Sequence, residues 1–358
     1  MKATARLLDL GQSIWLDNIT RTMLDDGTLA GYVSELSVTG LTSNPTIFDK
    51  AISDGSAYDA QIAELVAAGA SDEQAFFELA VADLRRAADA FGPTHGRTDG
   101  VDGWVSLEVS PLLADDAEAT IAQARTLHGR AERDNLLIKI PGTVAGQAAI
   151  EETIFAGIPV NVTLLFSSEQ YLGAAEAYMR GVERRLEAGL DPAVGSVASL
   201  FVSRWDGAVM ETAPAELRNR LGITVAKRTY RSYRELLDSP RWQRLANSGA
   251  RPQRLLWAST GTKDPDASDV LYVEALAAPH TLNTMPEKTL LAFADHGEPG
   301  EPLPADGGDA EQMLRRFAEA GIDHDPLAAK LQRDGAASFV ASWRDLLATV
   351  AAQRDAAA

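Results

Sequence analysis

The 358-residue chain contains no cysteine, and this absence removes three kinds of chemistry together. Disulfide bridges, thiolate nucleophiles and cysteine-based zinc sites all require that side chain. Histidine is also scarce, because the chain has only five, and they are scattered without the HExxH spacing of a helical zinc site. We therefore do not expect a metal centre built on these side chains.

Membrane-spanning and nucleotide-binding signatures are missing as well. No apolar run approaches the ~18 residues that cross a bilayer, and the segment Met1–Gln12 lacks the apolar core and cleavage site of a signal peptide. No GxGxxG follows a candidate strand, and no Gly-Lys-Ser/Thr follows the loop Gly142–Gly146. We expect a soluble, cytoplasmic protein with no membrane partner and no dinucleotide cofactor.

Positive charge is in short supply. The 51 acidic residues outnumber the 33 basic ones, which gives a formal net charge of −18. Such a surplus disfavours binding to nucleic acid and to anionic membrane surfaces. It also means that any anionic substrate must be held by a few local cations. A hydrophobic content of 46% and a charged content of 23% are typical of a globular enzyme.

One lysine interrupts an otherwise apolar stretch. Leu136–Ile140 reads as a strand with large aliphatic residues on both faces, which predicts that it is covered on both sides. Lysine is among the residues least often fully buried, so Lys139 requires a reason. Pro141 and Gly142 end the strand directly after it. This places the amine near the C-terminal mouth of the strand, where α/β barrels keep their chemistry.

The sequence around Lys139 is consistent with two explanations of this lysine. In the first, the amine pairs with a buried acid or reaches past the strand end to solvent. In the second, it is a Schiff-base nucleophile. An exposed lysine has a pKa near ~10.4, and lowering that pKa to ~7.5 by desolvation leaves roughly a quarter of the amine uncharged at pH 7. The residues at the other strand ends decide between the two.

Eight strand-like segments alternate mostly with helical ones. This pattern predicts a single (β/α)₈ barrel domain over residues 1–358, rather than an open doubly wound sheet. Extra helices flank the barrel at both ends of the chain, and those over 309–355 are expected to pack on its outside. The predicted strands are Ser13–Leu16, the start of Gly40–Phe48, Trp104–Pro111, Leu136–Ile140, Ile158–Ser167, Val194–Trp205, Arg254–Pro265 and His280–Pro286.

Polar side chains lie within or directly after these strands. Asp17 is either the N-cap of the next helix or a carboxylate of a site. Ser43 and Asn44, before Pro45, fit either a helix start or a polyol site. Glu108 would face water in an antiparallel sheet but the interior in a barrel. The candidates at the strand ends are Asp17, Asn44, Glu108, Lys139, Asn161, Thr163, Ser199, Arg204 and Lys263.

This set suits the chemistry of a lysine with a carbonyl compound. The amine attacks a ketone, and an acid protonates the carbinolamine hydroxyl so that it leaves. A base then takes the proton of a substrate hydroxyl as the C–C bond breaks, and the protonated imine accepts the electrons. Basic side chains hold a phosphate away from the reacting atoms.

The same strand ends resemble those of a known family. The segments that carry the resemblance are SIWLDNITR, GLTSNPTIF, VSLEVSP, NLLIKIPGT, VNVTLLFS, ASLFVSRW and LLWASTGTK, in that order from roughly Leu8 to Phe293. Together they resemble transaldolase, of the class I aldolase superfamily, in its longer bacterial form. The last segment differs from the Ser-Phe-Arg form found in other members, which leaves Lys263 as the cation there.

The resemblance implies a cofactor-free barrel enzyme of the pentose phosphate pathway. It would transfer a dihydroxyacetone unit from sedoheptulose 7-phosphate to glyceraldehyde 3-phosphate, giving erythrose 4-phosphate and fructose 6-phosphate. The lysine of the family lies on the fourth strand, as Lys139 does. The implied roles are imine formation for Lys139, acid/base catalysis for Asp17, water activation for Glu108 with Thr163, hydroxyl binding for Ser43, Asn44 and Asn161, and phosphate binding for Ser199, Arg204 and Lys263.

Two alternatives remain beside transfer. A stand-alone aldolase would release free dihydroxyacetone. In the branch of the superfamily that this alternative resembles, Gln stands at the Glu108 position and Tyr at the Phe201 position, so Glu and Phe here favour transfer. A non-catalytic barrel would only bind sugar phosphates, and it would gain nothing from a desolvated amine between two acids. The expected partners are small sugar phosphates, and both a monomer and a homodimer are left open.

Overall fold

The computed structural model of the protein describes residues 1–357, and its centre is a closed barrel of eight parallel strands in chain order. The predicted (β/α)₈ fold is therefore confirmed. The strands are β1 (Gln12–Asp17), β2 (Val38–Thr42), β3 (Val105–Glu108), β4 (Leu136–Pro141), β5 (Val160–Leu165), β6 (Ser196–Phe201), β7 (Gln253–Ala258) and β8 (Thr281–Met285).

Helices connect and surround the strands. Within residues 1–357, no helix combines the length and the hydrophobicity that a membrane span requires. The helices are α1 (Ala3–Asp9), α2 (Arg21–Asp25), α3 (Thr28–Glu35), α4 (Pro45–Ser53), α5 (Asp59–Ala67), α6 (Asp72–Arg97), α7 (Ala117–Ala131), α8 (Val144–Phe155), α9 (Ser168–Glu187), α10 (Ser203–Val209), α11 (Leu221–Asp238), α12 (Pro240–Asn247), α13 (Leu271–Ala275), α14 (Glu287–His296), α15 (Ala310–Glu319) and α16 (His324–Ala357).

Burial explains why the strands read as continuous apolar runs. Every strand residue is buried except Asp17, the last residue of β1, which is half-buried. A strand that is covered by helices outside and by side chains of the barrel inside has no face for water. Within this enclosed barrel, Glu108, Lys139 and Asn161 lie side by side on β3, β4 and β5.

Helix α6 departs from the sequence-based expectation. From the sequence alone, Phe91-Gly92-Pro93 is expected to end this helix, but the helix continues to Arg97. Proline removes a single backbone donor, and only one turn follows it. That turn is held by Thr98, whose backbone N–H and hydroxyl both donate to the carbonyl oxygen of Thr94, at 3.0 and 2.9 Å.

The C-terminal helix α16 packs along α4, α5 and α6. Trp343 is buried there, with its ring centroid 5.1 Å from that of Phe76 and 5.5 Å from that of Phe77. The same helix continues across the mouth of the barrel and contributes Ser338 and Phe339 to the cavity described below. The expectation that 309–355 lies only on the outside is therefore wrong for this part of α16.

A buried carboxylate joins the short helix α10 to α11. The backbone N–H groups of Leu221 and Gly222 donate to Asp206 at 2.9 and 3.2 Å, and the Tyr272 hydroxyl donates to it at 2.9 Å. Asp206 thus satisfies the free N–H groups at the start of α11. Burial nevertheless raises the pKa of Asp206 to about 6, because three hydrogen bonds do not fully replace hydration of the charge.

We expect this carboxyl to make stability depend on pH. The pKa of Asp206 is higher in the folded chain than in the unfolded one, so its contribution is complete below about pH 4 and is lost as pH rises through about 6. The free energy of unfolding should fall by roughly 2 kcal/mol from this group between about pH 4.5 and pH 7.5. Urea titrations of Asp206→Asn should lack that decrease, and those of the exposed control Asp266→Asn should retain it. Parallel pH profiles for all three proteins would contradict the assignment.

Candidate active site

A cavity of about 740 Å³ opens at the C-terminal ends of the strands. Its lining comes from the ends of β1, β2, β4, β5, β6, β7 and β8, from the loops that follow them, and from α2, α4, α10, α14 and α16. Eight of the eleven side chains that the sequence singled out lie on this lining: Asp17, Asn44, Lys139, Thr163, Ser199, Phe201, Arg204 and Lys263. The other three, Ser43, Glu108 and Asn161, are buried next to it.

The amine of Lys139 is held in the barrel interior. Its Nζ donates to the carbonyl oxygen of Ser43 at 2.9 Å and lies 3.2 Å from Oε2 of Glu108. Only 7% of the Lys139 side chain and 5% of the Glu108 side chain are exposed. The contact with a buried acid, which the first explanation of this lysine predicted, is therefore present. The pair lies beside a cavity, however, which leaves room for a substrate at the amine.

Glu108 is an unusual partner for a buried cation. Neither of its carboxylate oxygens has a well-aligned hydrogen bond to the described residues, although both are buried. Burial raises the pKa of Glu108, the charge of Lys139 opposes that rise, and the charge of Asp17 adds to it. A carboxyl in such surroundings can hold a proton in the pH range where an exposed one would be ionised. Glu108 is thus able to exchange a proton with a group beside it.

Asp17 ends β1 at the opposite side of the barrel interior. The hydroxyl of Thr42 donates to its Oδ1 at 2.7 Å, and Thr42 is in turn 2.7 Å from the hydroxyl of Thr284. Thr20 caps helix α2 instead, through a hydrogen bond from the N–H of Met23 at 3.1 Å, so the N-cap explanation of Asp17 is wrong. Burial raises the pKa of Asp17, against the opposing charge of Lys139.

Asn161 and Ser43 have their side chains engaged inside the barrel. The amide of Asn161 donates to the Ser106 hydroxyl at 3.1 Å and accepts from the Ser199 hydroxyl at 2.7 Å. The Ser43 hydroxyl donates to the Ser106 carbonyl at 2.7 Å. Asn44 caps α4 by accepting from Ile47, so the helix-start interpretation of that segment is confirmed. Of this group, Asn44 and Ser199 reach the cavity lining.

Thr163 has a free hydroxyl in a distorted part of β5. The register of β5 shifts between Val162 and Leu165, and Leu164 has a φ of 59°. Left-handed backbone at a non-glycine residue costs energy and is found disproportionately at functional sites. The Thr163 hydroxyl is buried without a hydrogen-bond partner among residues 1–357, and it lies on the cavity lining. The shift therefore presents an unused donor and acceptor next to Lys139.

Three cations without acidic partners line the cavity. Arg204, Lys263 and Lys50 all line it, and none of the three forms an ion pair within the described part of the chain. The Arg204 guanidinium instead lies 5.2 Å from the ring centroid of Phe201. Burial lowers the pKa of Arg204, and the carboxylate of Glu108 opposes that change. In a protein with 51 acidic residues, three unpaired cations at one cavity indicate an anion-binding site.

Comparison with known proteins decides the family. A sequence model of the family described as transaldolase/fructose-6-phosphate aldolase matches residues 14–350. The chain belongs to the transaldolase family. It is 46% identical to a transaldolase of Saccharopolyspora erythraea (98% of this chain, 97% of that one) and 47% identical to one of Kocuria rhizophila (99% of each). A transaldolase of Mycobacterium bovis is 44% identical, over 99% of this chain and 98% of that one.

The sequence did not reveal every lining residue of this transaldolase cavity. Lys50 lies in α4, the helix that Asn44 caps, and its position two turns after a predicted site residue was the available signal. Glu287 begins α14 directly after β8 and accepts from the Tyr32 hydroxyl at 2.7 Å. Ser338 and Phe339 gave no signal, because they lie more than 50 residues after the last strand. Among the described residues, no three acidic or histidine side chains cluster as metal ligands would.

Proposed function

We propose that this enzyme transfers a dihydroxyacetone unit from sedoheptulose 7-phosphate to glyceraldehyde 3-phosphate through a Schiff base on Lys139, in the non-oxidative pentose phosphate pathway. The products are erythrose 4-phosphate and fructose 6-phosphate. The observation that carries the proposal is a buried amine that borders the cavity, 3.2 Å from one carboxyl and within the electrostatic influence of a second. The proposal includes a cytoplasmic enzyme that acts as a monomer or a homodimer.

Imine formation begins at Lys139 and Glu108. The amine must be uncharged to attack the C2 carbonyl of the ketose, and Glu108 takes up its proton across the 3.2 Å contact. Attack gives a carbinolamine, whose hydroxyl leaves as water when it receives a proton from Glu108. The free hydroxyl of Thr163 binds this water, since it has no other hydrogen-bond partner nearby. The product is a protonated imine in contact with Glu108.

Cleavage of the carbon chain uses Asp17. Its carboxylate takes the proton from the C4 hydroxyl, the C3–C4 bond breaks, and the electron pair moves into the protonated imine to give an enamine. The aldehyde leaves, and an acceptor aldehyde enters. The enamine attacks the new carbonyl, and Asp17 returns its proton to the alkoxide that forms. Thr42 holds the Asp17 carboxylate in place throughout, through its 2.7 Å hydrogen bond.

Substrate binding divides between the two ends of the cavity. Arg204 and Lys263 bind the phosphate, and guanidinium offers the two parallel donors that a phosphate accepts best. The Ser199 hydroxyl turns from Asn161 to donate to the phosphate when it binds. Lys50 adds a third positive charge at the same cavity. Asn44 binds hydroxyls of the three-carbon unit near Lys139. Asn161 and Ser43 support this arrangement from inside the barrel, through their hydrogen bonds to Ser106.

Transfer and simple aldol cleavage differ in the fate of the enamine. Release of dihydroxyacetone requires a proton donor at the enamine carbon, and the ring of Phe201 beside the cavity has no hydroxyl to act as one. Glu108, as a carboxyl rather than an amide, also favours transfer. The enamine therefore persists until it reacts with an acceptor aldehyde.

An assay with and without an acceptor separates the possible functions. With fructose 6-phosphate and erythrose 4-phosphate together, we expect sedoheptulose 7-phosphate and glyceraldehyde 3-phosphate to appear in equal amounts. With fructose 6-phosphate alone, the reaction should stop after one turnover per active site, with little free dihydroxyacetone. Dihydroxyacetone formed as fast as the acceptor is consumed would support the aldolase instead. No turnover under either condition would leave only a sugar-phosphate-binding barrel.

A further inference from the structure

One face of helix α16 lies against the part of the cavity that holds Arg204. Gln332, Gly335 and Phe339 are spaced three and four residues apart, so they share this face. The amide of Gln332 donates to the carbonyl oxygens of Gly142 and Leu164, at 3.2 and 3.0 Å. These two carbonyls lie at the ends of β4 and β5, shortly after Lys139 and Thr163 in sequence. Gln332 therefore ties the helix to the strand ends that carry the amine.

Gly335 allows a close approach that any larger residue would prevent. The glycine is buried, and a Cβ atom built on it would lie 3.2 Å from Nη1 of Arg204 and 3.0 Å from Cδ2 of Leu164. Both distances are shorter than ordinary van der Waals contact. Alanine is the better helix former, so glycine within this long helix is explained by packing rather than by helix stability.

Phe339 is the second contact between α16 and Arg204. The guanidinium carbon lies 5.8 Å from the Phe339 ring centroid and 5.2 Å from that of Phe201, and the two rings are 6.4 Å apart. The guanidinium is thus bracketed by aromatic rings on two sides and by Gly335 on another. With no ion pair to the described residues, these contacts are what orient Arg204.

We propose that Gly335 and Phe339 are positioning residues for substrate phosphate, because they fix the Arg204 guanidinium where it can bind the phosphate group. The identity of the phosphate as that of a sugar rests on the proposed function. Binding of phosphate by Arg204 does not, since the unpaired cations alone favour an anion there. The C-terminal helix would accordingly set the preference for phosphorylated over unphosphorylated aldehydes.

The test compares Gly335→Ala with the wild type in binding and in kinetics. Titration calorimetry with inorganic phosphate should show a Kd raised about tenfold, the effect of weakening one hydrogen bond to a charged group. With saturating sedoheptulose 7-phosphate, KM for glyceraldehyde 3-phosphate should rise to a similar extent, while KM for unphosphorylated glyceraldehyde and kcat stay within about twofold. Phe339→Leu should change these constants in the same direction. Arg204→Met removes the guanidinium and gives the largest increase in both constants.

The matched control is Gly129→Ala, the same substitution at an exposed glycine of α7 with no atom near the added methyl group. It should leave both constants unchanged, and thermal melting should show that both alanine variants are folded at the assay temperature. An unchanged phosphate Kd in Gly335→Ala would overturn the inference, as would an equal rise of KM for both aldehydes. If the wild type binds phosphate but transfers nothing, the proposed function fails, and the calorimetric comparison still decides the role of α16.

Discussion

Replacing Lys139 with methionine should abolish turnover and, with it, the ability to form a reducible adduct with substrate. Methionine keeps the length of the apolar stem but has no amine, so the covalent route is closed. We expect kcat to fall by roughly 10⁴-fold or more, as when a nucleophile is removed from other enzymes. No other lysine can substitute, because Lys263 and Lys50 are exposed at the cavity and lack the buried carboxyl beside Lys139.

The adduct itself gives the clearest measurement. Wild-type protein treated with fructose 6-phosphate and borohydride should gain a three-carbon unit on the peptide that contains Lys139, as seen by mass spectrometry. Lys139→Met should gain none, and the control Lys263→Met should still gain it. A reduced adduct on a different lysine would refute the assignment of Lys139. Folding of Lys139→Met is expected to survive, because burial raises the pKa of Glu108 and a protonated carboxyl needs no cation.

Replacing Asp17 with asparagine should separate imine formation from cleavage of the carbon chain. In the wild type the Thr42 hydroxyl donates to the Asp17 carboxylate at 2.7 Å. Asparagine has the same shape and can still accept this hydrogen bond. It cannot take a proton from the C4 hydroxyl. We therefore expect kcat to fall by about 10²- to 10⁴-fold, while borohydride still traps substrate on Lys139. The trapped species should be the intact six-carbon ketose, since its chain is no longer cut.

The pH dependence of the wild type gives a second test of Asp17. Burial raises the pKa of this carboxyl, and the proposed base must be ionised. The rate of cleavage should therefore fall on the acidic side at a pH higher than an ordinary aspartate would give. Asp54→Asn, at an exposed carboxyl on the same cavity, is the control and should keep the wild-type profile. Unaltered turnover in Asp17→Asn would remove the catalytic role.

The strand ends were the part of the site that sequence reasoning could find. Parallel strands in a closed barrel bring their C-terminal ends together, so a polar residue at the end of an apolar run is marked as a candidate by position alone. Lys139 and Glu108 illustrate this, because the neighbouring register of β3 and β4 makes them adjacent. That they are neighbours follows from the fold, without any knowledge of side-chain conformation.

Other features depend on tertiary packing and were not visible in the same way. Whether Asn161 faces the cavity or bonds to Ser106 and Ser199 depends on rotamers that the chain pattern does not specify. Helix α16 comes long after the last strand in sequence, so the strand pattern does not indicate where it docks. Its apolar spacing fits a helix on the outside of the barrel as well as one at the mouth. The expected end of α6 was wrong because Pro93 does not terminate the helix, which continues for one more turn to Arg97.

The location of α16 has a consequence for how the protein is made. A ribosome releases all eight strands before it releases Gln332, Gly335 and Phe339. A nascent chain that has reached Met285 already holds the amine and both carboxyls, yet Arg204 has no aromatic ring on its second side. Premature termination in the interval between these points would remove the Phe339 ring beside Arg204 together with Trp343, Leu346 and Val350, which α16 adds to the core.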